Sequence, residues 1–167
     1  MAELAESLGA IHLRSDIERK RLFGYSAIQD SASALNNGLY TLEASQKIYD
    51  YLAECAKDIL KAGFSVIVDA TFLEHKLRQR FKELAAECHC DFIIIDVQAS
   101  YETLCQRIKL RQADASEATI EVLDYQRQYA QALTTDEQLD VINVNSEVDK
   151  ILETLWANDH RQLLTKY

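Results

Sequence analysis

The sequence predicts an α/β protein, a parallel sheet with helices on both faces, and three observations carry that prediction. Val66-Ile67-Val68 runs up to Asp69 as a short β-branched strand whose apolar character on both sides reads as full burial. Strand-like and helix-like stretches alternate along the whole chain, which favours parallel pairing. Carboxylates stand at the carboxyl ends of two strand-like stretches, Asp16 and Asp69, where open α/β sheets bind their ligands.

Met1 to Leu8 is helical by composition, with Gly9 as its stop. Ala10-Ile11-His12-Leu13-Arg14-Ser15-Asp16 alternates as a strand, and Ile17 to Leu22 follows as a helix. Asp16 and Arg19 then lie one turn apart on one face; Asp16 is either a helix cap or a working carboxylate. From Gly24 to Gly38 the pattern lapses into Ser, Ala, Asn and Gln, ending in the turn signal Asn36-Asn37-Gly38. A long helix runs from Thr41 or Leu42 to Ala62, with Ile48, Tyr51, Leu52, Cys55, Ile59 and Leu60 at helical spacing; its tyrosines read as packing. Lys61 and Gly63 end it.

After the strand Phe64 to Thr71, Asp69 either reaches into a crevice or caps the next helix, Glu74 to Cys88. Asp91 to Val97 is a second buried strand. Tyr101 to Arg111 is a helix with Arg107 and Arg111 four apart, hence on one face. A polar break, Gln112 to Ala118, offers Ser116 as the cap of a helix to about Leu133. Leu139 to Val144 is another strand, Glu147 to about Trp156 a closing helix, and residues 157–167 a polar tail. Proline is absent, so turns rest on four glycines and on Asn, Asp and Ser.

With 167 residues, 48% hydrophobic and 27% charged, the chain suits one soluble domain spanning 1–167. No apolar run approaches the roughly 20 residues of a membrane span, and Met1 to Glu6 lack the features of a secretory signal, so a cytoplasmic protein is expected. A net charge of −9 argues against a general nucleic-acid-binding surface but leaves room for a local phosphate pocket. Basic residues cluster as Arg14 with Arg19, Lys20 and Arg21; Lys76 with Arg78 and Arg80; and Arg107 with Lys109 and Arg111. Lys20, Lys76 and Lys109 read as solvated helix faces. Cys55 and Cys105 read as small buried hydrophobes. Cys88-His89-Cys90 is too sparse a set for a metal centre.

Taken in order, three segments resemble the P-loop kinase family: Leu8 to Gly24 (LGAIHLRSDIERKRLFG), Ala62 to Leu73 (AGFSVIVDATFL), and Arg107 through Arg111 to Asp114-Ala115-Ser116-Glu117-Ala118. The likeness is closest to ATP-binding domains fused behind aminoglycoside-phosphotransferase-like domains, which are similar to polynucleotide kinase and chloramphenicol phosphotransferase. It implies a three-layer P-loop fold and an ATP- and magnesium-dependent phosphotransferase acting on a small-molecule or nucleotide acceptor. By that resemblance Asp16 is the general base, with Arg14, Arg19, Thr71 and Arg80 on the acceptor side. Asp69 reaches Mg2+ through water, and Arg107 and Arg111, at the lid, neutralise ATP's transferring phosphoryl group. Phosphoryl transfer is mostly positioning plus electrostatic stabilisation, which these residue types supply.

The family's glycine-rich GxxxxGK[ST] loop is not among the 167 residues, whose glycines are Gly9, Gly24, Gly38 and Gly63. The resemblance puts that loop and its strand just ahead of the first helix, so the sheet is expected to lack its first, central strand. Its two neighbours, by the resemblance the strand ending at Asp69 and the strand Phe92 to Val97, would then stand about 10 Å apart, or close up, or be bridged by another chain. Marginal stability, a homo-oligomer, or a fused or partner kinase-like domain is the expectation. Weak nucleotide binding is expected as well. The alternatives are a non-catalytic binding module derived from such a kinase, and a natural start upstream of Met1 that supplies the loop.

Overall fold

The computed structural model describes residues 1–26, 42–111 and 116–146. The closing helix, the tail at 157–167 and most of the Gly24 to Gly38 connection lie outside the described residues. Helix α1 (Ala2–Ser7) ends before Gly9, whose φ of +58° lets the chain reverse into β1 (Ile11–Arg14). Helix α2 (Ser15–Leu22) follows directly, then α3 (Leu42–Lys61), β2 (Val66–Asp69), α4 (His75–Glu87), β3 (Ile94–Gln98), α5 (Tyr101–Leu110) and α6 (Ile120–Tyr129). A short 3-10 helix (Glu137–Asp140) leads into β4 (Val141–Asn145).

Among the described residues all strand pairing is parallel, as the alternation of elements predicts. β1 lies against β2 in the register Ile11 to Val66 through Arg14 to Asp69, and β3 against β4 from Ile94 with Val141 to Gln98 with Asn145. The sheet is not continuous: among the described residues it forms two separate two-stranded ribbons. The break separates β2 from β3, the strands between which the resemblance places the absent one. Full burial of these strands is therefore corrected. Every residue of β2 is half-buried, and β3 ends exposed at Val97 and Gln98, because among the described residues each strand has a ladder partner on one side only.

Alternation along each strand sorts its side chains to opposite faces. Leu13, Val66 and Val68 pack beneath α3 and α4 against Ile48, Tyr49, Leu52, Ala56, Leu77, Phe81 and Leu84. On the other face, Leu4 of α1 packs with Ile67, Ile93, Ile95, Ile142 and Val144, so one helix joins both ribbons through side chains rather than backbone. Helices thus cover both faces.

Several local expectations change. Ser15 and Asp16 belong to the first turn of α2 rather than to the strand, and Arg14 occupies the cap position. Helix α5 ends at Leu110, which leaves Arg111 extended (ψ 129°) and off the helical face that carries Arg107. Thr119, not Ser116, caps α6 by accepting from the Val122 amide at 3.4 Å. Leu139 is 88% exposed in the 3-10 turn instead of opening a strand. Lys20 is 2% exposed and so is not a solvated face residue. All four cysteines are free and half-buried. Among the described residues no helix is long and apolar enough to cross a membrane, and no cluster of three or more His, Cys, Asp or Glu could hold a metal ion.

Candidate functional site

The carboxyl ends of β1 and β2 carry the site. Because β1 passes into α2 without a loop, Arg14, Asp16 and Arg19 come from consecutive turns of chain at one edge of the ribbon. Burial raises the Asp16 carboxyl above the usual aspartate range. A hydrogen bond from the Ser116 hydroxyl and the positive charges of Arg19, Arg14 and Arg111 oppose that shift without cancelling it. Arg19 is itself buried and also acts on Tyr49, whose phenol burial pushes up. The Tyr49 hydroxyl lies 3.4 Å from Thr71 Oγ1 and accepts the Phe72 amide at 3.1 Å. Asp16, Arg14, Arg19, Arg111 and Thr71 are thereby linked.

Asp69 ends β2 directly opposite Arg14. Its Oδ2 is 3.0 Å from His12 Nε2, since His12 and Arg14 point to the same side of β1 as Asp69 does of β2. The sequence reading missed His12; a polar residue two positions before Arg14 in an otherwise apolar strand was the available signal.

Two expected members do not join. Arg80 forms an ion pair with Asp50 across α3 and α4, holding that carboxyl below its ordinary value, and it borders a groove with Ala53, Lys57, Glu83 and Glu87. Arg107 donates to Ser146 Oγ and to the Ser146 carbonyl, both at 2.9 Å, and Ser146 in turn donates to the Gln98 carbonyl at 3.0 Å. Arg107 therefore braces the ends of β3 and β4, while Arg111 donates to the Ser116 carbonyl at 3.3 Å. The two arginines serve different segments because the helix stops between them.

Arg78 was also missed as a structural centre. Its guanidinium grips Glu137 at 2.6 and 3.1 Å and donates to the carbonyls of Phe72 (2.9 Å), Gln131 (3.3 Å) and Ala132 (3.2 Å). Both partners are nearly inaccessible, and the guanidinium holds the Glu137 carboxyl down at about 2. Phe72 is consequently fixed at both ends of its residue, by Tyr49 at its amide and Arg78 at its carbonyl, with φ at +44°. Its ring lies 5.1 Å from Phe81 and 5.4 Å from Tyr49, centroid to centroid.

A profile of the family described as AAA domain matches residues 1–133, which is most of the chain and includes every residue placed at this edge. The chain belongs to the AAA domain family. A candidate kinase from Chloroflexus aurantiacus has the same fold, with a TM-score of 0.59 over 97% of this chain and 87% of that one at 19% identity. This AAA domain is thus P-loop kinase-like in architecture. Uncharacterized proteins of Mycobacterium bovis and Mycobacterium tuberculosis are 29% identical over 119 residues, 71% of this chain and 24% of theirs. The AAA domain therefore spans about a quarter of the curated relatives it matches.

P-loop kinase-like families generally use ATP and Mg2+. Asp69 fits such an ion in one respect: its carboxylate is 39% exposed, and the bond to His12 uses Oδ2 and leaves Oδ1 outside that contact. One carboxylate suits an ion held through water, not a direct cage.

Proposed function

We propose that this AAA domain is the acceptor-side core of an ATP-dependent phosphotransferase acting in the cytoplasm on a small molecule or nucleotide bearing a hydroxyl group. The observation that carries this reading is the convergence of Arg14, Arg19 and Arg111 on a single carboxylate, Asp16, whose proton affinity burial has raised. A carboxylate so placed is a better proton acceptor than a solvated one.

In this reading Asp16 takes the proton from the acceptor hydroxyl. Arg14 and Arg19 hold an anionic or polar group of the acceptor, and Thr71 presents its hydroxyl beside them. Arg111 sets positive charge against the oxygens of the transferring group, and Arg107 fixes the segment behind it. Asp69, oriented by His12, holds water on the metal side. Magnesium, when bound, supplies charge neutralisation at the phosphates of ATP. The glycine-rich cradle is not among these residues, so the chain alone binds nucleotide weakly. Several charge-assisted hydrogen bonds of about 1.5 to 3 kcal/mol each are lacking, and each 1.4 kcal/mol is tenfold in affinity.

Calorimetric titration with magnesium-ATP, paired with phosphate-transfer assays over hydroxyl acceptors, tests the reading. Binding weaker than micromolar is expected, together with transfer reduced about 10²- to 10⁴-fold by Asp16→Asn. Transfer indifferent to Asp16→Asn would reject the base assignment. Acceptor binding with no transfer under any condition would instead favour a non-catalytic binding module.

A further inference from the structure

Asp16 and Lys20 lie one turn apart on the same face of α2, and they engage two consecutive residues of the segment entering α6. Asp16 receives the Ser116 hydroxyl, and Lys20 Nζ meets Glu117 Oε1 at 2.8 Å. The Lys20 side chain is 2% exposed and that of Glu117 14%, so the pair is withdrawn from water. A lysine is rarely buried this completely without a matching charge, and its position in the helix fixes where that charge must sit. Two successive rungs of α2 therefore match two successive residues of the other segment, which sets its register as well as its distance. Arg111, donating to the Ser116 carbonyl at 3.3 Å, holds the same residue by its backbone. Thr119 then caps α6, two residues beyond Glu117.

We propose that the Lys20–Glu117 ion pair is a positioning latch that seats Ser116 over Asp16 and thereby sets how far this carboxylate is shielded from water. The basic character of this turn of α2 then has a division of labour: Arg19 faces the carboxylate and Tyr49, while Lys20 holds the cover in place. The consequence for chemistry rests on Asp16 being the acceptor-side base. The latch itself does not. Acceptor entry would require Ser116 to leave Asp16 while Lys20 and Glu117 keep the segment close enough to return, excluding water around the transferred proton.

The test uses the full 167-residue chain without nucleotide. The Asp16 side-chain carboxyl is followed by carbon NMR against pH, and amide hydrogen exchange is followed at residues 116–119. Lys20→Met and Glu117→Gln are expected to lower the Asp16 midpoint toward that of an ordinary aspartate. Exchange at 116–119 should quicken by about tenfold or more. Lys20→Arg, which keeps the charge, should restore both readouts. A cooperatively folded Lys20→Met or Glu117→Gln variant whose Asp16 midpoint and local exchange match the parent overturns the proposal. If either single variant fails to fold, the double variant, which leaves no buried charge unmatched, decides. Its failure to fold also overturns the proposal, by making the pair a requirement of the fold instead of a positioning device. Persistence of phosphate transfer in Asp16→Asn would sink the base assignment and leave the latch standing, since neither readout involves transfer.

Discussion

Around β1 and β2 the helices close tightly: Ile48 and Leu52 are wholly inaccessible, and Leu13, Ala56, Leu77 and Phe81 complete the layer with them. Around β3 and β4 the burial is narrower. Val144 and Ile142 are covered with Leu4, but Val97 is 46% exposed and α5 buries none of its residues. Asp16, Arg19 and Asp69 rest on the firm ribbon, whereas Arg107 belongs to the loosely covered one and Arg111 to the chain just beyond its helix. The difference teaches a division of rigidity: Asp16, Arg19 and Asp69 are held in fixed geometry by a packed core, and the arginines of the other region sit where local opening is easier.

Breaking the seam between the two regions should have the largest effect. Arg78 comes from α4 and Glu137 from the turn entering β4, so Arg78→Ala strands a buried carboxylate and should cost about 3 to 5 kcal/mol in chemical denaturation. Truncating each core separately should cost less and report on the contrast directly. Leu52→Ala should lose about 2 to 5 kcal/mol and speed hydrogen exchange throughout, while Val144→Ala should lose roughly 2 kcal/mol and speed exchange chiefly in β3 and β4. Equal global losses would erase the distinction.

Acid should reveal the seam next. Glu137 has its carboxyl lowered from 4.5 to about 2, so the folded state binds fewer protons than the unfolded one between those values. Its stabilisation is fully present above about 4.5 and is lost as pH falls toward 2; Glu137→Gln should flatten that part of the stability profile. The smallest effect has the opposite sign. Because burial raises the Asp16 carboxyl, the folded state binds more protons there, and stability falls as pH rises through the raised value. Asp16→Asn should therefore melt slightly higher than the parent at neutral pH while impairing transfer.

Much of this was legible in the residues. The apolar spacing of α3 and the Gly63 stop located that helix within a residue, and the β-branched run before Asp69 placed that carboxylate at a strand end, whereas Asp16 falls in the first turn of α2, just past its strand. Helix termini were harder. Arg107 and Arg111 share a face only if the helix continues, and the choice between Ser116 and Thr119 as cap depends on which hydroxyl another element has claimed. Long-range pairs were not legible at all. Lys20 resembles any helix-surface lysine until Glu117 is found beside it. Arg78 lies on the same helical stripe as the buried Phe81 and Ala85, a hint that it is buried too, but nothing local names Glu137 as its partner.

The left-handed backbone at Phe72 has a further consequence. Such a conformation is costly for a bulky aromatic residue and persists only when its surroundings over-determine it, as Tyr49, Arg78 and Phe81 do here. The stretch joining Asp69 to α4 is thus shaped without a ligand, so a molecule recognised there, as the proposed function has it, would forfeit little conformational entropy. Glycine at position 72 would remove the backbone penalty and the restraint together, exchanging a preset contour for one that each incoming molecule must impose anew.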